Sequence, residues 1–330
     1  MDAAAKRAYA QRGLCWICRQ PCTEVGQRGP RQAHVLCRRA IDERKPIMSQ
    51  PSGTHRYKTL DFEFQYDRQI RYGYSPDKPG HAGLIAFFDA SAARMAQEYA
   101  ECASYTQNLL HIPLTGPSNM MHWRNEWFPP LDVVTLNGLL SDFNPARYVE
   151  IGSGMSTLFA RHAINSRNLR TRIVSIDPQS WPESDLAAHE RHRVPLEHVD
   201  LDAILHPIRA GDIVFFDGTH RSFQNSDVTV FFLDVLPALP RGVIVGLHDI
   251  CLPYDYPEGL ENRYFNEQYL LAARLLAPES GLRPLMTNYF ASLSRPQWLD
   301  SLIPFNEAIG DRSRSMLTLH GSAAWFETVR

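Results

Sequence analysis

After Pro145 the sequence alternates short apolar runs with stretches of helical periodicity, and this alternation restricts the fold more than any other feature. Strands separated by helices are typical of a parallel sheet covered by helices on both faces. The last two predicted strands are joined by a polar loop instead, so we expect the final strand to be antiparallel. The predicted strands are Arg147–Ile151, Thr171–Ile176, Val194–Val199, Asp212–Phe216, Val243–Leu247, Pro284–Tyr289 and Ser315–Leu319. The predicted helices between them are Met155–Asn165, Pro182–Arg191, Ser226–Leu236 and Asn266–Leu276.

A glycine turn follows the first of these strands, in the segment "RYVEIGSGMSTLFAR". Ligands of doubly wound sheets bind beyond the carboxyl ends of the strands, and Gly152, Ser153 and Gly154 occupy that position. Since glycine has no Cβ atom, the backbone of such a turn can approach a ligand closely. Ser156 stands where a dinucleotide-binding loop has its third glycine, which argues against a pyrophosphate ligand.

Two carboxylates flank the turn in the sequence. Glu150 precedes it, where a carboxylate would repel a pyrophosphate but could hold a cationic amino-acid moiety, directly or through water. Asp177 ends the second strand about 20 residues further on, where a carboxylate can accept both hydroxyls of a ribose. The pattern therefore favours a nucleoside ligand without a pyrophosphate.

Two later strands end in polar residues at the same predicted edge. "DIVFFDGTH" brings Asp217 and His220 there, and "VIVGLHDI" brings His248 and Asp249. A carboxylate beside such apolar strands must be paired, solvated or bound to metal. A neutral imidazole with a pKa of roughly 6.5 can accept a proton from a hydroxyl or amine. We therefore expect His220, His248 and Asp249 to be the catalytic residues.

Several motifs in this order resemble one family. "VEIGSGMST", "VSIDPQ", "GDIVFFDGTH", "VIVGLHDICLPYDYP" and "NEQYLLAA" resemble class I S-adenosylmethionine-dependent methyltransferases, more narrowly the Methyltransf_24 group, over Asn125 to Arg330. The resemblance implies a Rossmann-like α/β fold, with a seven-stranded sheet whose last strand is antiparallel. It also implies that Gly152 and Gly154 face the methionine part of the cofactor and that Asp177 binds the ribose. Asp200, with Asp202 competing for the role, would bind the adenine edge. The cofactor-binding residues expected in this way are Glu150, Gly152, Ser153, Gly154, Ser156, Asp177, Asp200 and Asp217.

The same resemblance raises the question of a divalent metal ion, which the sequence leaves open. Catechol O-methyltransferase and some sugar O-methyltransferases hold Mg²⁺ with acidic residues at these two strand ends. Matching the motifs places Asp217, His248 and Asp249 at the ligand positions. The metal-dependent enzymes usually have a carboxylate at the position of His248. A histidine there would favour a transition metal over Mg²⁺, or the site would bind no metal.

The N-terminal cysteines predict a structural zinc site. Cys15 and Cys18 form one close pair, and His34 and Cys37 form a second pair after a loop, a spacing that suits four tetrahedral zinc ligands. Cys22 competes with His34 for the fourth position. The segment resembles small treble-clef fingers, including those of HNH-type nucleases, although the catalytic histidines of the nucleases are not evident.

These features predict three segments: a zinc-finger-like module over 1–48, a linker and helical connector over 49–124, and a methyltransferase domain over 125–330. Residues 1–50 carry ten Lys and Arg against four Asp and Glu, so nucleic acid remains an alternative partner for the module. No apolar run approaches the roughly 20 residues that span a bilayer, and the start lacks the apolar core of a signal peptide. We therefore expect a cytoplasmic protein that does not contact membranes.

The expected function is methylation of oxygen or nitrogen on a small-molecule acceptor, such as a sugar or natural-product intermediate. Three alternatives stay open: a non-catalytic S-adenosylmethionine sensor or partner-binding protein, a nicotinamide oxidoreductase, and a nucleic-acid methyltransferase directed by the finger. The aromatic residues after the fifth strand are predicted to form a substrate lid, namely Tyr254, Tyr256, Tyr264 and Phe265. Glu267 lies at the start of the helix that follows, where a carboxylate interacts favourably with the helix dipole.

Overall fold

The computed structural model describes residues 69–75, 77–257, 260, 263–313 and 316–330. Ile70–Arg330 forms one compact unit. The predicted zinc ligands Cys15, Cys18, His34 and Cys37 lie outside the described residues, as does the competing Cys22. Within the described part of the chain, no helix is both long and apolar enough to cross a bilayer.

Ten α-helices and seven strands are named here in chain order. The helices are α1 (Ala82–Asp89), α2 (Ala92–Ser104), α3 (Pro130–Phe143), α4 (Met155–Arg167), α5 (Pro182–Ala187), α6 (Leu201–Leu205), α7 (Asp227–Val230, continued by a π-helical turn over Phe231–Val235), α8 (Glu267–Leu276), α9 (Asn288–Ser294) and α10 (Ile303–Ser313). The strands are β1 (Arg147–Ile151), β2 (Arg172–Ile176), β3 (Glu190–His192), β4 (Ile213–Phe216), β5 (Ile244–Leu247), β6 (Leu282–Thr287) and β7 (Ala324–Thr328).

The strands form one mixed sheet in the order β3-β2-β1-β4-β5-β7-β6. β1 to β5 are parallel, and β7 is antiparallel to both of its neighbours, β5 and β6. This arrangement confirms the predicted seven-stranded α/β sheet with an antiparallel last strand. In the register, Ile151 pairs with Ile176 on one side and with Phe216 on the other. The ends of β1, β2 and β4 are therefore level, and we call the edge where the parallel strands end the carboxyl edge.

The central strands are buried on both faces, which explains their continuous apolar sequences. Every residue of β4 and β5 is buried. Trp325 of β7 stacks on Phe215 of β4 with ring centroids 5.2 Å apart, across the strand that lies between them. Gly246 of β5 makes this contact possible, because a Cβ atom there would lie 2.3 Å from the Trp325 ring.

Two predicted strands were wrong. The third was expected at Val194–Val199, but β3 is the polar segment Glu190–His192, and Leu196–His198 forms a 3₁₀ turn after Pro195. As an edge strand, β3 needs no apolar sequence. The last was expected at Ser315–Leu319, but β7 is Ala324–Thr328, whose Trp325 and Phe326 are fully buried.

The segment before β7 was predicted as a polar loop, and this was also wrong. It contains a 3₁₀ helix, Pro296–Leu302, followed by α10. Trp298, Leu302 and Phe305 are buried, with Phe305 packed edge-to-face on Trp123. The apolar residues in this segment are spaced for two short helices, which a search for longer periodic stretches misses. The predicted helix Pro182–Arg191 is also shorter, since α5 ends at Ala187.

Asp132 joins α3 to the sheet. Its carboxylate is fully buried and accepts hydrogen bonds from the Ser322 and Ala323 amides at 2.9 and 3.0 Å. The Asn288 amide donates to it at 2.7 Å, and His248 Nε2 lies 3.1 Å away. One side chain thus connects the start of α3 with the ends of β5 and β6 and the start of β7.

Replacing this carboxylate tests how much the connection stabilises the fold. We expect Asp132→Asn to lower the free energy of unfolding by about 2–4 kcal/mol, because it leaves buried donors without a charged acceptor. Urea unfolding measures the change. The exposed Asp234 provides the matched control, since Asp234→Asn should stay within about 0.5 kcal/mol of the parent. Equal stability of the two variants would contradict the role assigned to Asp132.

Candidate functional site

The glycine turn lies at the carboxyl edge between β1 and α4. Gly152 adopts φ +82°, and a Cβ atom there would lie 1.9 Å from the Asp217 carbonyl oxygen. Only glycine fits, because the turn crosses directly against the backbone at the end of β4. Gly154 differs: it is buried, yet a Cβ atom there would meet no heavy atom within 4 Å apart from its chain neighbours and its own helix backbone. The turn therefore borders open space that protein atoms do not fill.

Asp177 lies beside this turn, at the end of β2. Its Oδ2 accepts hydrogen bonds from the Ser153 amide at 2.8 Å and from the Ser153 hydroxyl at 2.7 Å. Its Oδ1 accepts from the Gln179 amide at 2.7 Å. The side chain is partly exposed, and a carboxylate can accept about four hydrogen bonds. Asp177 is thus held against the turn with acceptor capacity remaining.

Glu150 is buried next to the turn, and its cofactor contact stays a prediction. It is fully buried and accepts hydrogen bonds from the hydroxyls of Tyr148, at 2.9 Å, and Thr157. Burial raises the pKa of Glu150 to about 7, although hydrogen bonds from Thr157, Ser156 and Tyr148 oppose this shift. Thr157 Oγ1 also accepts from the Gly154 amide at 3.0 Å. Glu150 and Ser156 therefore support the turn from beneath.

Asp200 lies away from the turn, on the surface at the start of α6. Its carboxylate caps that helix by accepting from the Ala203 amide at 3.3 Å, and both Asp200 and the competing Asp202 are exposed. The structure thus gives Asp200 a capping interaction. The adenine contact stays a prediction for it.

The ends of β4 and β5 bring two histidines and two aspartates together. His220 Nε2 lies 3.4 Å from Asp217 Oδ1 and 3.6 Å from Asp249 Oδ2. His248 Nδ1 lies 3.5 Å from Asp217 Oδ1 and 3.7 Å from Asp249 Oδ1. Acid and imidazole therefore alternate around a closed ring of four side chains. The histidines are buried, whereas the aspartates are about 30% exposed and face the opening.

Each imidazole of this four-residue ring is held from behind by a second, buried carboxylate. Glu267 Oε1 lies 2.5 Å from His220 Nδ1, and Asp132 Oδ2 lies 3.1 Å from His248 Nε2. Both carboxylates are fully buried. Glu267 Oε2 has no hydrogen-bond partner within the described residues. Glu267 and Asp132 orient the histidines so that their other ring nitrogens point toward Asp217 and Asp249.

The surrounding carboxylates decide the protonation of the ring. Burial alone lowers the pKa of an imidazole, but Glu267, Asp217 and Asp249 raise the pKa of His220 to about 9. Burial likewise opposes the charge on His248, yet Asp217, Asp249 and Asp132 raise its pKa well above the ordinary value. For Asp217, burial raises the pKa, but His248 and His220 outweigh it and lower the net value. The surrounding carboxylates therefore favour the charged imidazolium form of both histidines, whereas the predicted base is a neutral imidazole.

The backbone at the ring is held in an uncommon conformation. His220 has φ +61° and Asp249 has φ +52°, in the left-handed region that most residues avoid. Hydrogen bonds hold both residues: the Asn266 amide donates to the His220 carbonyl at 2.9 Å, and the Ser322 hydroxyl donates to Asp249 Oδ1 at 3.1 Å. Such strain concentrates at functional sites, where it directs a side chain toward a ligand.

The expected metal finds no support in this part of the chain. Among the described residues, no group of three or more His, Cys, Asp and Glu side chains is arranged to hold an ion. Instead, Asp217 and Asp249 each form ion pairs with both His220 and His248. Mg²⁺ or another divalent ion at these positions is therefore not supported.

The predicted lid residues divide into two groups. Phe265 packs against His220 with ring centroids 4.4 Å apart, and Tyr256 lies edge-on to Phe265. Tyr254 packs away from His220, against Tyr289 and Phe290. Tyr264 is 38% exposed. Phe265 is thus the predicted lid residue that packs on His220, and Tyr256 packs on Phe265; the lid itself stays a prediction.

Sequence reasoning missed the roles of Asp132 and Glu267. Each lies near the start of a helix, where an acidic residue is already explained by the helix dipole. For Asp132 a signal existed, because this charged residue stands among the apolar Leu131, Val133 and Val134. Glu267 carried no such signal.

Comparisons with known proteins give one matching family and several solved structures of low similarity. A family described as "Methyltransferase domain" matches residues 149–250. A comparison with curated proteins finds no match. Among solved structures, a candidate methyltransferase of Thermobifida fusca YX is 17% identical, with 62% of this chain and 85% of that chain covered and a TM-score of 0.30. The Podospora anserina methyltransferase PaMTH1, solved with S-adenosylhomocysteine, is 13% identical, with 76% and 98% covered and a TM-score of 0.30.

A third structure is the branched-chain polyamine synthase of Thermus thermophilus, solved with N4-aminopropylspermidine and 5'-methylthioadenosine. It is 14% identical, with 77% of this chain and 70% of that chain covered and a TM-score of 0.35. At these TM-scores the likenesses carry nothing about function. The family match spans β1 to the end of β5, including the glycine turn, Asp177 and the four-residue ring. Residues 149–250 are therefore similar to this methyltransferase-domain family.

Proposed function

We propose that this protein is an S-adenosylmethionine-dependent methyltransferase that acts on oxygen or nitrogen of a small-molecule acceptor. The observation that carries the proposal is the unfilled space at buried Gly154, bordered by Asp177. The methyltransferase-domain match over the same turn supports it. The ring at the ends of β4 and β5 adds proton-exchanging groups next to the turn, as a transferase needs and a passive sensor does not.

The residues present fit a nucleoside cofactor. Asp177 would accept hydrogen bonds from the ribose hydroxyls, and Gly154 would let the backbone of the turn lie against the methionine part. The Ser153 hydroxyl donates a hydrogen bond to Asp177, and a ribose hydroxyl could take its place. When bound, S-adenosylmethionine supplies an electrophilic methyl group on a positively charged sulfur.

The ring would receive the acceptor. Methyl transfer needs mainly an in-line approach of the acceptor atom, so positioning supplies much of the rate. His220 is protonated at neutral pH, and its Nε2–H can donate a hydrogen bond that orients the acceptor. Asp217 and Asp249 are the partly exposed carboxylates, and they can take the proton of a hydroxyl or ammonium group. The new C–O or C–N bond forms as the C–S bond breaks, and the sulfur keeps the electron pair.

Cofactor binding is tested by calorimetric titration with S-adenosylhomocysteine and, separately, with NAD. We expect S-adenosylhomocysteine to bind and NAD not to bind. Asp177→Ala should weaken binding at least about tenfold, because hydrogen bonds to a charged group are lost. Asp234→Asn, at an exposed position of the π-helical turn after α7, is the control and should bind as the parent does. Binding of NAD in place of S-adenosylhomocysteine would refute the assignment.

The protonation of the ring makes a pH-dependent prediction. The raised pKa of His220 stabilises the folded state fully below the unfolded pKa of roughly 6.5, and this contribution is lost as the pH rises through about 9. Glu267→Gln removes the partner at 2.5 Å, so the pKa of His220 should fall. Nitrogen-15 NMR of the imidazole, recorded from about pH 6 to about pH 10, measures the pKa of His220 in both proteins. The same pKa for His220 in both would contradict the role of Glu267.

A further inference from the structure

Two arginines flank the ring of Phe265, beside the proposed acceptor site. The guanidinium carbon of Arg221 lies 5.3 Å from the centroid of this ring, and that of Arg263 lies 5.6 Å from it. The same phenyl ring packs on the imidazole of His220. The guanidinium groups of Arg221 and Arg263 therefore contact the same phenyl ring as His220, the residue proposed to bind the acceptor.

Backbone carbonyls hold the Arg221 guanidinium in place. Its Nε donates to the Arg263 carbonyl at 2.8 Å, and its Nη1 donates to the Thr219 carbonyl at 2.9 Å. A guanidinium carries five N–H donors in a rigid fork, so donors remain for a ligand. Arg221 is half-buried and Arg263 is exposed, which leaves the pair accessible from the surface.

The pair lacks an acidic partner in the described part of the chain. No described carboxylate lies within 4 Å of either guanidinium. Burial and the neighbouring charge of Arg263 lower the pKa of Arg221, while Asp227 opposes this shift. Asp227 already accepts hydrogen bonds from the Thr219 amide and hydroxyl, both at 2.6 Å. Two like charges held together are unfavourable until an anion binds between them.

We propose that Arg221 and Arg263 bind an anionic group, a carboxylate or a phosphate, on the methyl acceptor. Arginine forks match both groups through paired hydrogen bonds. The body of the acceptor then lies along Phe265, and its oxygen or nitrogen reaches His220, Asp217 and Asp249. This inference rests on the proposed function and narrows its substrate class to acidic small molecules.

The test uses the full-length protein saturated with S-adenosylhomocysteine. Benzoate, phenyl phosphate and benzyl alcohol are titrated, with NMR detection of the arginine Nε–H signals. These three probes share an aryl ring, and only the first two carry a negative charge. We expect one or both anions to shift the Arg221 and Arg263 signals saturably and the alcohol to leave them unchanged. The anion that binds more tightly shows whether the acidic group of the acceptor is a carboxylate or a phosphate.

A double variant connects the binding to these residues. Arg221→Gln with Arg263→Gln should weaken anion binding at least about tenfold and leave S-adenosylhomocysteine binding unchanged. The control is Arg167→Gln. Arg167 is the last residue of α4 and also lies over an aromatic ring, with its guanidinium carbon 4.7 Å from the centroid of Tyr105. This control variant should bind the anions as the parent does.

Three results would overturn the inference: benzyl alcohol binding as well as the anions, anions binding equally to the double variant, or no anion binding at millimolar concentration. Each of these can occur while S-adenosylhomocysteine still binds, and the proposed function then stands. Failure of S-adenosylhomocysteine to bind the parent protein would instead remove the proposed function, on which the acceptor assignment rests.

Discussion

The buried pair of Asp132 and His248 is the interaction on which the carboxyl edge depends. Asp132 lies in the first turn of α3, and His248 directly follows β5, 116 residues later in the chain. Four other hydrogen-bond contacts converge on the same carboxylate from Asn288, Ser322 and Ala323. A buried carboxylate without partners would cost several kcal/mol. Charge balance therefore fixes the position of α3 against the antiparallel end of the sheet and orients His248.

The same balance organises the candidate site as a whole. Two inner aspartates and two outer carboxylates enclose two imidazoles, so each positive ring sits between negative groups. The outer carboxylates are buried, while the inner aspartates are partly exposed and would be accessible to a ligand. This arrangement separates two tasks, because Asp132 and Glu267 orient the histidines and the aspartates remain available for chemistry.

The glycine turn and the ring are adjacent because of one close backbone contact. Gly152 lies against the Asp217 carbonyl so tightly that no side chain fits. A ligand held in the space beside Gly154 is therefore next to the groups at the end of β4. In the proposed reaction this contact brings the methyl donor and the acceptor to neighbouring strand ends. Glu150 supports the arrangement from below, where it stays buried with Tyr148 and Thr157.

Local patterns in the sequence were sufficient to predict the central strands and the strand ends that form the edge. β4 and β5 are continuous apolar runs, β1 and β2 are mostly apolar, and parallel pairing brings their ends together without knowledge of distant contacts. β3 could not be found in this way, because a polar edge strand depends on its neighbour β2 for its structure. The partners of the histidines were missed because Asp132 and Glu267 are distant in sequence, and only the tertiary fold decides which imidazole each carboxylate meets.

The most direct measurement of the central claim is a crystal structure of the protein with S-adenosylhomocysteine. The account predicts density in the space beside Gly154, with the ribose hydroxyls on Asp177 and the sulfur facing Asp217 and His220. A ligand bound elsewhere, with the Ser153–Asp177 hydrogen bonds intact and the space beside Gly154 empty, would contradict it.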